Sequence, residues 1–162
     1  MKRDADGDNQ TMKKDRDPSI VLVVSRFNDA ITTALKQGAL NQWASMGFSS
    51  TTLPVWEVPG AIEIPLMALK LAKTRQVQAI VALGAVIRGE TDHYDYVCEQ
   101  VSQGCQQVML TYEIPVIFGI LTTDTEAQAW DRLGGAHGHK GVEAIIAAVE
   151  MVALLKRLEG KH

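Results

Sequence analysis

The run Gly89-Glu90-Thr91-Asp92-His93 carries the densest chemistry in the chain. Backbone N–H groups and the Thr91 hydroxyl at a helix start form an anion site, and the His93 imidazole is a side-chain type that exchanges protons near neutral pH. A capping segment with a solvated histidine would read the same way. Phe27, in the polar stretch Ser25-Arg26-Phe27-Asn28, offers a flat aromatic face to a planar ligand; the bland alternative is a ring packed beneath its own loop. Gly60 permits close backbone approach, and Glu63 can accept protons from hydroxyl or amide groups or simply support a helix dipole.

Arg132 and Lys140 bracket Gly134-Gly135-Ala136-His137-Gly138-His139. Arginine grips phosphate through a bidentate fork and lysine acts as a point charge, although isolated basic residues are commonly surface charges. The glycine run is not a phosphate-binding P-loop, because a helix rather than a strand precedes it and Gly141 follows the lysine. His137 and His139 lack the further ligands of a tetrahedral zinc set, so a turn with exposed histidines is expected and no metal is assigned.

The elements that must position these groups alternate between β-branched runs and amphipathic stretches. Ile20 to Val24 is continuously apolar, as in a strand buried on both faces of a parallel sheet. Asn28 or Asp29 can cap a helix to about Met46, with Ile31, Leu35, Ala39, Leu40 and Trp43 on one stripe. Thr51 to Val58 reads as a second strand, and Pro59-Gly60 turns into a helix from Ala61 to Thr74 with Pro65 in its first turn. Ala79 to Ile87 is the third strand and Asp92 to Tyr112 the next helix, carrying Val97, Val101, Cys105, Val108 and Met109 at helical spacing. Pro115 to Leu121 gives strand four. A short helix from Thr125 to Arg132, a glycine-rich turn at Gly134 to Gly141 and a final helix to Leu158 follow.

Strands and helices in this order imply right-handed crossovers, hence a flavodoxin-like three-layer α/β/α sandwich around a four-stranded parallel sheet. In such sheets ligands bind beyond the carboxyl ends of the strands, where the four polar loops fall.

Composition sets outer bounds. The chain has 162 residues, 46% hydrophobic and 22% charged, with a net charge of −3, which fits one globular domain. No basic stripe marks a nucleic-acid partner, and no apolar run approaches the roughly 18 residues of a membrane span. Residues 1–18 hold five acidic and five basic side chains and are expected to form a disordered charged tail, leaving residues 19–162 as the domain. Cys98 and Cys105, seven positions apart on one helix, would stand about 10 Å apart along the axis, too far to bridge. A reducing cytoplasm is the expected setting.

Taken in order, Ser25-Arg26-Phe27-Asn28, Pro59-Gly60-Ala61-Ile62-Glu63-Ile64-Pro65, the stretch Gly84 to Val97, Phe118 to Thr123 and Lys140-Gly141 resemble the 6,7-dimethyl-8-ribityllumazine synthase family of riboflavin biosynthesis. The resemblance covers Ser19 to Leu158. It implies condensation of 5-amino-6-(D-ribitylamino)uracil with 3,4-dihydroxy-2-butanone 4-phosphate, without metal or organic cofactor. Phe27 would then stack on the pyrimidinedione, Asn28 would position it, and Gly60, Ala61, Ile62 and Glu63 would meet the ribityl chain and ring edge. Val86 and Ile87 would bind the ring through backbone groups, Glu90, Thr91 and Arg132 would serve the phosphate, and His93 would transfer protons.

Phe118 and Lys140 would come from an adjacent subunit or its edge. The resemblance also implies a homopentamer, allows an icosahedral shell of sixty subunits and makes riboflavin synthase a candidate partner. Glu90 departs from the family pattern by setting a carboxylate beside the phosphate, unless it points away or pairs with Arg88. The competing class is a non-catalytic flavin- or lumazine-binding shell protein of the same fold. A response-regulator-like switch fails because Ser25-Arg26-Phe27 stands where acidic residues would be needed.

Overall fold

The computed structural model describes residues 17–160. Residues 1–16 of the expected charged tail lie outside that range, but Asp17 is tied into the fold. Its Oδ2 accepts from the Ser49 N–H at 2.8 Å and from Thr52 Oγ1 at 2.5 Å.

Strand β1 (Ile20–Ser25) leads to helix α1 (Asp29–Ser45), then β2 (Val55–Val58) and α2 (Ile64–Lys73). After these come β3 (Ala79–Ile87), α3 (His93–Tyr112) and β4 (Val116–Thr123). The chain ends with α4 (Glu126–Trp130), a small hairpin of β5 (Leu133–Gly135) and β6 (Gly138–His139), and α5 (Lys140–Leu158). Strands β2-β1-β3-β4 form one four-stranded parallel sheet.

Because side chains alternate along a strand, the sheet builds two cores. Ile20, Leu22, Val24, Val81 and Leu83 meet α1 and α5 through Leu35, Trp43, Ile145 and Ala148 on one face. Val21, Val23, Ile80 and Ala82 meet α2 and α3 through Ile64, Ala68, Val101 and Cys105 on the other. The result is the flavodoxin-like sandwich expected from the alternation of elements.

Two expectations are corrected. The second strand begins at Val55 rather than Thr51, because Ser49 caps a 3₁₀ turn over Ser50–Thr52 and Pro54 has no N–H to offer a ladder. The turn at Gly134 to Gly141 is instead the β5–β6 hairpin running directly into α5. Gly134 and Gly138 supply φ of 96° and 74°, angles that a side chain resists.

His139 is not an exposed turn residue either. It is half-buried, and its Nδ1 accepts from the Gly141 and Val142 N–H groups, capping α5. At Gly141 a Cβ would stand 2.2 Å from the Leu35 carbonyl oxygen, so α1 and α5 cross at backbone contact.

Cys105 faces the core beneath α3, where burial pushes its thiol from 9.0 up to about 11. The folded chain therefore keeps a proton that the unfolded chain releases, and this contribution is full below about pH 9 and lost as pH rises toward 11. Urea titrations should show wild type losing about 2 kcal/mol more than Cys105→Ala between those pH values; parallel losses would place the thiol outside the core.

Candidate functional site

The sheet ends its strands on one side, and backbone bonds draw the loops together there. Arg26 N donates to the Val58 carbonyl at 2.8 Å and Phe27 N to that of Pro59 at 3.0 Å, joining the first loop to the second. Asn28 adopts left-handed backbone, with φ 63°, and its Nδ2 donates to the Ala85 carbonyl at 3.0 Å. The side chain expected to cap α1 thus spans to β3 instead, and no side-chain cap closes α1.

These ties frame a cavity of about 270 Å³. Phe27, Asn28, Gly60, Ala61, Ile62, Val86, Ile87, Thr91 and His93 all line it. Phe27 is 72% exposed, which overturns the reading of a ring packed beneath its loop. Apolar wall and open aromatic face together suit a flat organic ring, with Val86 and Ile87 lining the cavity at the strand end. Gly89, from the run ending at His93, lines it as well, as do Ala85, Tyr94 and Val97, none of which was assigned a substrate contact from the sequence. Val97 lies four positions after His93 and three after Tyr94, a helical spacing that could have identified the group.

Glu63 is exposed and is not among the residues lining the cavity. Its Oε2 accepts the Gly60 N–H at 3.1 Å, so the carboxylate holds the turn as well as facing solvent. At the start of α3, Thr91 Oγ1 accepts the His93 N–H at 3.3 Å, the bond of a capping segment. Glu90 is exposed and outside the cavity lining. Arg88 does not neutralise it, being taken up by Asp124 and Asp95.

Arg132 stands apart. It lines a second, polar cavity of about 320 Å³ with Thr122, Asp124, Asp131 and His137, and Tyr94 forms a wall of both cavities. Burial, followed by the neighbouring Cys98, pushes the Tyr94 phenol above its ordinary range, while Thr122 and the Arg88 charge oppose the shift. Cys98 is likewise raised, chiefly by burial, so it is no activated nucleophile. Phe118 is half-buried on β4 against the α2–α3 core, and Lys140 opens α5; within one chain neither reaches the first cavity. Among the described residues no cluster of three or more His, Cys, Asp or Glu could hold a metal ion, and no helix is long and apolar enough to cross a membrane.

The Asn28 tie has a measurable consequence. Asn28→Gly removes the hydrogen bond but keeps the backbone relaxed, whereas Asn28→Ala also carries the left-handed penalty of about 1–2 kcal/mol. Chemical denaturation should therefore rank the alanine variant below the glycine variant by about 1 kcal/mol; equal stability would mean that the backbone there relaxes freely.

Residues 17–156 match the family described as 6,7-dimethyl-8-ribityllumazine synthase. Proteins of that name from Coxiella burnetii strains CbuG_Q212 and RSA 493 / Nine Mile phase I are each 54% identical to this chain over 140 residues, covering 86% of it and 93% of the relative. Parallel sheet, cavity at the strand ends, and a match along most of the sequence agree: the chain belongs to the 6,7-dimethyl-8-ribityllumazine synthase family.

Proposed function

We propose that the chain condenses 5-amino-6-(D-ribitylamino)uracil with 3,4-dihydroxy-2-butanone 4-phosphate to form 6,7-dimethyl-8-ribityllumazine in riboflavin biosynthesis, and that the cavity walled by Phe27 and His93 is where it does so. The observation carrying this reading is the convergence, in one cavity, of an exposed aromatic face, the strand-end residues Val86 and Ile87 and the Thr91–His93 helix start.

On this reading Phe27 stacks on the pyrimidinedione, while Asn28, Val86 and Ile87 fix its edges. Gly60, Ala61, Ile62 and the Glu63 carboxylate receive the ribityl chain. The substrate amine is itself the nucleophile, so no serine, cysteine or lysine nucleophile is required. It attacks the ketone carbonyl of the second substrate, water and phosphate depart, and a second condensation closes the ring. His93 moves protons, Glu90 and Thr91 line the phosphate end, and Arg132 binds the phosphate. Holding two substrates in register accounts for much of such an acceleration.

The reading is tested by incubating the protein with both substrates and following lumazine fluorescence and phosphate release. His93→Ala should slow turnover moderately, and Arg132→Ala should lose more kcat/KM, about 10²-fold, through weakened phosphate binding. Near-complete retention of kcat/KM in both variants would sink this assignment of roles, and no product from wild type would favour a non-catalytic binding protein.

The distribution of groups supports assembly. Arg132, Lys140 and Phe118 stand away from the Phe27 cavity, so a neighbouring chain is the natural source of a second set. Leu66 and Leu110, both more than half exposed on α2 and α3, offer apolar surface for such a neighbour. We infer a homopentamer, with a sixty-subunit shell as its larger form and riboflavin synthase as a candidate partner. The free cysteines Cys98 and Cys105 suit the reducing cytoplasm. Light scattering should give a mass of five chains or sixty; a stable, active monomer would refute the shared site.

A further inference from the structure

Arg88 is absorbed by none of the roles above, yet its side chain is the most heavily engaged in the site. It follows directly on β3, and its own N–H donates to the Thr123 carbonyl at 2.9 Å, extending the β3–β4 ladder by one bond. Its Nε donates to Asp124 Oδ1 at 2.8 Å, at the exit from β4. Nη1 and Nη2 reach the two oxygens of Asp95 at 3.4 and 3.3 Å in the first turn of α3. Between those carboxylates the guanidinium carbon lies 4.3 Å from the centre of the Tyr94 ring, the wall common to both cavities.

Residues 89–92 connect this point to His93 and are all exposed. Their side-chain and turn hydrogen bonds run to the first turn of α3: Thr91 to the His93 N–H, and the Asp92 carbonyl to the Asp95 and Tyr96 N–H groups. The loop and that turn therefore form one local unit, which the Arg88 fork fastens to the end of β4. Without the fork, Asp95 and Asp124 would face each other as like charges beside a pocket proposed to receive a phosphate ester.

We propose that Arg88 is a positioning residue, whose guanidinium locks the His93-bearing start of α3 against the end of β4 and so fixes His93 in the wall of the Phe27 cavity. The inference rests on the catalytic reading of the His93 cavity. Geometry supports a fork rather than a point charge as the working part, because three separate donors act in two directions and the flat face stacks on Tyr94.

Arg88→Gln should lower kcat by about 10²-fold while the KM for the pyrimidine substrate stays within about threefold, since the Phe27 wall is untouched. Arg88→Lys should recover about tenfold of that loss by restoring charge without the fork. Asp124→Asn, which weakens the Nε bond but leaves both Asp95 contacts of the fork in place, should show a smaller fall in kcat. In parallel, amide hydrogen exchange of residues 89–95 should run at least about tenfold faster in Arg88→Gln, with the rest of the sheet unchanged.

A native kcat in folded Arg88→Gln, or a loss that Arg88→Lys leaves wholly unrecovered, would overturn the proposal. So would unaltered exchange at residues 89–95. If wild type made no lumazine, the catalytic reading would fail, and the exchange measurement would still decide whether Arg88 locks the loop.

Discussion

Strand β3 is the member on which the molecule depends. It is bonded along both edges, to β1 from Ala79 through Leu83 and to β4 from Ile80 through Ile87, and its first seven residues are buried. A parallel strand so placed must be covered on both faces, which is why helices flank the sheet and why the run Ala79 to Ala85 contains no polar side chain. The same strand then delivers Val86 and Ile87 to the cavity and Arg88 to the clamp. Scaffold and site are thus consecutive residues of one extended segment, and whatever displaces β3 displaces the candidate chemistry with it.

Close approach is the second recurring constraint. Gly84 leaves room for the fully buried Ser25 Oγ, which would lie 2.8 Å from a Cβ there, so β1 and β3 meet without a bulky pair just below the cavity. Gly119 does the same against Leu83, and Gly104 against Pro65 where α3 crosses α2. These glycines are in ordinary backbone regions; what they contribute is absence of volume. The cavity sits above this tightly closed floor, and its walls come from loops whose backbone bonds cross from one strand end to the next.

Strands β1, β3 and β4 were legible in the sequence because continuous apolar runs bounded by polar loops have few other interpretations. The helices were legible from periodicity, to within a residue or two at most ends. Strand β2 was not fully legible: Thr51 and Thr52 look strand-like, but the Ser49 cap and Pro54 decide otherwise, and the Asp17 carboxylate stabilises that turn from 32 and 35 positions away. The site loops could be found because ligand chemistry collects at strand ends. What fastens those loops was hidden: Asn28 reaches Ala85 across 57 positions and Arg88 reaches Asp124 across 36, and neither bond leaves a local pattern. His139 was misjudged for a related reason, since a histidine cap and an exposed histidine have the same neighbours in the chain.

The backbone contact between α1 and α5 has an implication for how this protein can vary. Gly141 immediately follows Lys140, and its α-hydrogen side rests on the Leu35 carbonyl, while Gly38 of α1 accommodates the His139 ring. The two helices therefore mesh at a spot where neither can drift without the other. One of them begins right after Asn28 and the other begins at Lys140. Two residues that sequence separates by more than a hundred positions are consequently geared together, and a lineage that lengthened the hairpin before α5 would have to absorb the insertion on the solvent side, because the gear itself leaves no slack.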